Sequence, residues 1–274
     1  MDEDREGEER GTRRMGRVSP AEEGLSYGSY LHVPEILALQ RLRSDPPAHD
    51  ELLFIVVHQA YELWFKELLF ELESARDRMF EGDVPVTLHL FQRIHEIERL
   101  LVEQVSVLET MAPQDFLAFR TKLAPASGFQ SVQFREIEAI SGLKERGFLA
   151  HLGENDDERN GLARRLEEPT LWDAFRSLLE SAGLPMPEQD AEARRRSLLT
   201  MARDRERFSG HFAVSEALLT HDELFALWRL RHVLMVERMI GSKTGTGGSS
   251  GSGYLRATLD RRFFPELWEL RSDL

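Results

Sequence analysis

Apolar residues recur every three or four positions along most of this chain, and the longest such stripe starts at Asp50. Phe54, Val57, Tyr61, Phe65, Leu68, Leu72, Ala75 and Met79 keep one helical face, which predicts a long helix ending at Gly82. Leu90, Ile94, Ile97, Leu101, Val105 and Leu108 carry the same period through residues 86–110, and a third segment begins near Pro113. Ahead of the first helix, "RSDPPAHD" reads as a Pro-rich loop that ends in Asp50, a candidate N-cap. More helical patterns with polar breaks occupy 145–200, among them "GENDDERN", read as an acidic loop, and the Pro-bearing "GLPMPEQD". A last long helix is expected over about 214–240, followed by the Gly/Ser stretch "KTGTGGSSGSGYL" at 243–255 and then "FFPELWEL".

No alternating apolar run is long enough for a sheet, and nothing repeats at a fixed period. The pattern predicts an all-α, single-domain helical bundle with one core and a few long loops. Residues 1–24 are charge, Gly and Ser with almost nothing apolar, so disorder is expected there and one folded domain over 25–274. "LSYGSYLHVPEILALQRL" carries aromatic and aliphatic residues able to dock on another surface.

Composition narrows the chemistry. The 274 residues include no cysteine, which excludes disulfides, thiolate metal sites and cysteine nucleophiles. A metal would have to be held by His, Asp, Glu, Tyr or Met. A net charge of −13 argues against a nucleic-acid partner. No apolar run approaches a membrane span and the acidic N-terminus is unlike a signal peptide, so a cytoplasmic protein is expected.

Several motif matches fail. "HEIER" at His95 lacks the second His of a zinc protease. No His follows a Glu by three residues, which removes the di-iron bundle pattern. "GGSSG" at 247–251 fits G-x-S-x-G, but in a low-complexity run with no strand before it.

Two histidines stand out, because each lies inside an apolar stripe. His58 follows Phe54 by one turn, and His232 sits among Phe225, Trp228, Met235, Val236 and Met239. A lone imidazole in such a stripe is usually a satisfied core residue. Two on separate core-facing helices suggest a shared cavity, and a flat apolar cofactor with one axial imidazole suits it. Phe116 and Arg120 share a face at i and i+4: either an ordinary surface Arg, or a planar fork that holds a carboxylate beside an aromatic wall. In "PASGFQSVQFREIE" a Ser-Gly kink precedes a helix start and suggests close backbone approach.

Four stretches, "SYGSYL", "HDELLFIVVHQAYELWFKELLFEL", "FLAFRTKLAPASGFQSVQFREIE" and "WRLRHVLMVERMIGSKTGTGGSSGSGYL", closely resemble the tryptophan 2,3-dioxygenase family and keep its order over much of 26–274. The resemblance implies an all-α bundle around a haem pocket, generally a homotetramer, that takes L-tryptophan and dioxygen to N-formyl-L-kynurenine by opening the indole C2–C3 bond. It implies haem b on His232, with Trp228 beside that ligand. It makes His58 the distal histidine that accepts the indole N–H, against Phe54. Arg120 would pair with the substrate carboxylate, Thr246 would help hold the ammonium, and Ser127 and Gly128 would line the distal side of the haem. Tyr27 and Tyr30 would reach the pocket of a neighbouring subunit. Phe116 stands where some bacterial members have tyrosine, which keeps the aromatic wall without its hydroxyl. Glu237 replaces a second His of animal members. The Gly/Ser run then reads as a lid over the bound amino acid. Two other readings are a haem oxygenase acting on a modified tryptophan or a tyrosine, and a haem or tryptophan sensor without turnover.

Overall fold

The computed structural model describes residues 24–152, 156–246 and 251–274. Among them the secondary structure is helical, with no strand. The disorder expected over 1–24 falls, apart from Gly24, outside the described residues.

The chain divides into two compact units between Arg41 and Leu42, where sequence reasoning drew a single domain from residue 25. The first unit carries α1 (Tyr27–Tyr30) and α2 (Val33–Ile36). Ser26 and Ser29 close a capping box on α1, yet neither helix buries any residue. Helices this short gain little from their own hydrogen bonds.

The second unit holds α3 (His49–Glu81), α4 (Val84–Leu108), α5 (Pro113–Arg120), α6 (Val132–Ser141), α7 (Asp156–Glu167), α8 (Leu171–Ser181), α9 (Ala191–Arg203), α10 (Arg205–Ile240), α11 (Ser252–Arg256) and α12 (Pro265–Glu269). Between α3 and α4, Gly82 takes a left-handed φ of 79°, and Asp83 accepts from Val86 N at 3.1 Å. That turn folds α4 back along α3, and α10 packs on α4, while α6 and α8 cover α3. Leu68, Leu72 and Met79 of α3 share one core with Phe91 and Ile94 of α4, Phe175 of α8 and Leu218 of α10. Each such burial stabilises the fold by about 1.5–3 kcal/mol before ordering entropy is counted.

Three local expectations need correction. Asp50 is not the N-cap of α3; Ala48 is, with no side-chain bond, and Asp50 lies in the first turn, where the helix dipole favours a carboxylate. The Pro-rich loop is fastened instead by buried Glu51, which accepts from Arg43 N at 2.6 Å and Ser44 N at 3.0 Å. The acidic "GENDDERN" is largely helix: α7 begins at Asp156, with Glu158 in its first turn and Arg164 and Arg165 in its last, both favourable to the dipole. The last helix starts at Arg205 rather than near 214, capped by Asp204, and breaks at Phe208 (φ −115°, ψ 23°) before running on to Ile240. Downstream, fully buried Asp222 ties the C-terminal segment to α10. One of its oxygens accepts from Phe263 N at 2.9 Å, Phe264 N at 3.1 Å and the Trp268 indole at 2.8 Å.

Candidate active site

A cavity of about 270 Å³ opens between α3, α5, α6, α10 and the segment leading into α11. Helix α3 lines it with Phe54, His58, Tyr61, Glu62 and Phe65, which the three- and four-residue spacing sets on one face. Helix α10 faces it with Trp228, Arg229 and His232, followed by apolar side chains that include Met235 and Met239. Phe116 and Arg120 of α5 line it too, as do Ser127, Gly128 and Thr246. Of the expected site residues nine, Phe54 and His58 among them, come to one place. Tyr27 and Tyr30 lie in the first unit, 79% and 65% exposed.

His58 is set in one tautomer. His58 Nδ1 lies 2.7 Å from the Phe54 carbonyl oxygen, which can only accept, so Nδ1 carries the proton. Nε2 is left with a lone pair. Burial pushes the His58 pKa down, opposed by that hydrogen bond and by Glu62, so the ring is neutral. The Phe54 ring lies against it at 4.1 Å between centroids and stacks on Phe116 at 5.6 Å. Together these rings make an aromatic wall beside one acceptor nitrogen.

His232 is the counterpart on α10. Trp228, one turn earlier, stacks on it, with centroids 5.1 Å apart and planes within 6°. Burial pushes the His232 pKa from 6.5 to about 4, and the nearby His58 adds to the shift. No described residue hydrogen-bonds to this imidazole. It is therefore a neutral base with an unengaged lone pair at an apolar wall. Among the described residues no group of three His, Asp or Glu could hold a bare ion.

The polar end of the cavity is organised by backbone. Arg120 donates through Nη2 to the Thr244 carbonyl, and the Thr246 hydroxyl donates to the Ala126 carbonyl at 2.7 Å. Ser127 caps a short 3-10 turn by accepting from Phe129 N at 3.3 Å, and Gln130 returns to Ser127 N at 3.2 Å. The neck of the Gly-rich loop closes at Gly251, where φ is 67° and a Cβ would come within 2.4 Å of the Lys243 carbonyl oxygen. Only glycine fits there. The rest of the expected lid falls partly on 247–250, outside the described residues.

Sequence reasoning missed several lining residues. Tyr61 and Phe65 read as plain core in the α3 stripe. Tyr61 donates to the Leu101 carbonyl at 2.8 Å, and burial pushes its pKa up to about 12, so it is a fixed donor pointing at the scaffold. Glu62, four residues after His58, had a usable spacing signal. Arg135 and Glu138 pair at i and i+3 on α6, also a usable spacing, whereas Arg229 and Tyr254 had no such signal, since their partners Glu138 and Phe129 are distant in sequence. A Ser141–His221–Glu98 file, with bonds of 2.8 and 2.5 Å, has the order of a hydrolase triad. All three are buried and none lines the cavity, so the file joins α6, α10 and α4 rather than meeting a substrate.

These features define a class: an all-α protein whose central cavity sets one unengaged imidazole and one acceptor imidazole around an apolar space, with a polar mouth. The family model described as "Tryptophan 2,3-dioxygenase" matches residues 12–192 and 191–274. A protein named tryptophan 2,3-dioxygenase from Nocardioides sp. is 57% identical over 264 residues, covering 94% of this chain and 98% of its own. Another of that name from Herpetosiphon aurantiacus is 44% identical over 263 residues, covering 92% and 99%. The chain belongs to the tryptophan 2,3-dioxygenase family.

Proposed function

We propose that the protein is a haem-dependent dioxygenase that opens the C2–C3 bond of the L-tryptophan indole to give N-formyl-L-kynurenine. The observation that carries this is the pair His58 and His232 at one apolar cavity, one ring fixed as an acceptor and the other neutral and unengaged. The donor set fits haem b. A single imidazole cannot hold an ion alone, so the remaining ligands must arrive with the group, and a porphyrin supplies four. His232 would hold the iron, with Trp228 as its backing, and Ser127 and Gly128 would line the cavity against the ring. Haem supplies the iron at which dioxygen is activated.

The chain's own residues hold and desolvate the substrate. His58 Nε2 accepts the indole N–H. Phe54 and Phe116 flank the ring, Phe116 without a hydroxyl. Arg120 exchanges the Thr244 carbonyl for the substrate carboxylate, a stronger charge-assisted partner. Thr246 meets the ammonium group.

Assembly follows the same reading. Leu227, Leu230 and Leu234 of α10 stand 41%, 42% and 44% exposed at i, i+3 and i+7, an apolar stripe that a homotetramer would cover. Tyr27 and Tyr30 would then complete a neighbouring subunit's pocket. No helix among the described residues is long and apolar enough to cross a membrane. A cytoplasmic location is our reading. The experiment is to load the protein with haem, reduce it, add L-tryptophan in air and follow N-formylkynurenine by absorbance and mass. Haem-loaded protein that leaves tryptophan unchanged contradicts the proposal.

A further inference from the structure

Arg135 lies on α6, is 9% exposed and lines the cavity. Its guanidinium carbon sits 5.1 Å from the centroid of Phe129, 5.3 Å from that of Phe134 and 4.4 Å from that of Phe148. Cation–π attraction offsets part of the cost of burying the charge. Hydrogen bonding does not complete the balance. Of the five N–H donors an arginine carries, the bond made is Nη1 to Glu138 Oε2 at 2.6 Å. Nε is buried without a partner. Nη2 donates to nothing among the described residues, yet it is not among the sealed atoms.

Glu138 cannot supply more, because its other oxygen accepts from Arg229 Nη2 at 2.9 Å. Arg229 is 3% exposed and also lines the cavity, and burial lowers its pKa against the pull of Glu138. The other charges near Arg229 are Asp222 and Arg261. Asp222 is taken by the C-terminal segment, and Arg261 pairs with Glu145 at 3.0 Å. One carboxylate is thus shared by two guanidinium groups at the cavity wall. Buried arginines are ordinarily hydrogen-bonded through most of their donors.

We propose that Arg135, held in place by Glu138 and Arg229, is a second carboxylate-binding subsite of this cavity, separate from Arg120. It takes a carboxylate carried by the cavity's ligand. Haem b brings two propionates, and tryptophan brings one carboxylate for which Arg120 is already the partner, so a propionate is the expected occupant. The inference rests on the haem reading above.

The test uses the full chain as wild type, Arg135→Gln, Arg135→Lys and His232→Ala. Each is loaded with protohaem or with protohaem dimethyl ester, which keeps the ring but lacks both charges. Release to an excess of haem-scavenging apoglobin is timed. Wild type should hold protohaem longer than the ester by about 10–100-fold, the effect expected of one charge-assisted bond. Arg135→Gln should bring that ratio close to one, and Arg135→Lys should keep part of it. Because the ratio compares two ligands on the same variant, a general loss of stability cancels. His232→Ala should speed release of both ligands alike; if it does not, the axial assignment fails while the ratio still reports on Arg135. If the ratio stays put but Arg135→Gln weakens tryptophan more than tryptamine in the haem-loaded protein, the carboxylate held is the substrate's. Unchanged preferences in both comparisons overturn the subsite.

Discussion

The indole of Trp228 stacks on the imidazole of His232, with centroids 5.1 Å apart and planes within 6° of parallel. The two are one turn apart on α10, so the helix itself places the stack. Phe134 also packs against the indole, tilted, with centroids 5.1 Å apart, which restrains Trp228. The stack keeps the imidazole in one orientation at the cavity wall.

Trp228→Leu should therefore loosen His232 without removing it. An aromatic pair contributes roughly 0.5–1.5 kcal/mol beyond its buried area, so haem should leave roughly 2–10-fold faster. The measurement is transfer of haem to an apoglobin. An unchanged rate would mean that the helix alone orients His232.

Arg120→Ala should cost tryptophan about 1.5–3 kcal/mol of binding, or roughly 10–100-fold in Kd. Tryptamine, which has no carboxylate, should bind both proteins alike. Equal losses for the two ligands by spectral titration would remove the carboxylate role from Arg120.

His95 provides a pH test away from the cavity. Burial pushes its pKa from 6.5 to about 4, against the pull of its bond to the Ala217 carbonyl at 2.9 Å. The folded pKa lies below the unfolded one, so the unfolded chain binds the extra proton in between. Stability is full above about pH 6.5 and declines as pH falls towards 4. His95→Gln should flatten the slope of urea-unfolding stability over that window by up to one proton. A slope unchanged by the substitution would contradict the buried neutral state.

Most of the scaffold was legible in periodicity, because α3 and α4 bury one continuous stripe each and Gly82 marks the turn. The two histidines stood out for the same reason, as polar residues on apolar faces. What stayed hidden is set by long-range partners. Arg229 meets Glu138 across 91 residues, and Asp222 meets Trp268 across 46, separations that local spacing does not encode. The start of α10 was misplaced because the break at Phe208 interrupts the period. The acidic run that opens α7 looked like a loop because charge that favours a first turn also favours solvent. His58's tautomer needed coordinates, since the Phe54 carbonyl that fixes it is backbone.

Assembly has its own check. Tyr27 and Tyr30 are exposed, and neither α1 nor α2 buries a residue. A His232→Ala chain mixed with a Tyr27→Ala/Tyr30→Ala chain should regain part of the activity that each lacks, since some pockets then have both intact parts. No recovery after confirmed subunit exchange would put the tyrosines outside a neighbour's pocket.

Both atoms of one dioxygen should enter L-tryptophan at this cavity. The most direct measurement is turnover of the reduced, haem-loaded protein under isotopically labelled dioxygen, with the product read by mass spectrometry. N-formylkynurenine carrying two labelled oxygens is the expected product. A product with one labelled oxygen and an intact indole ring framework would make the protein a monooxygenase and contradict the proposal.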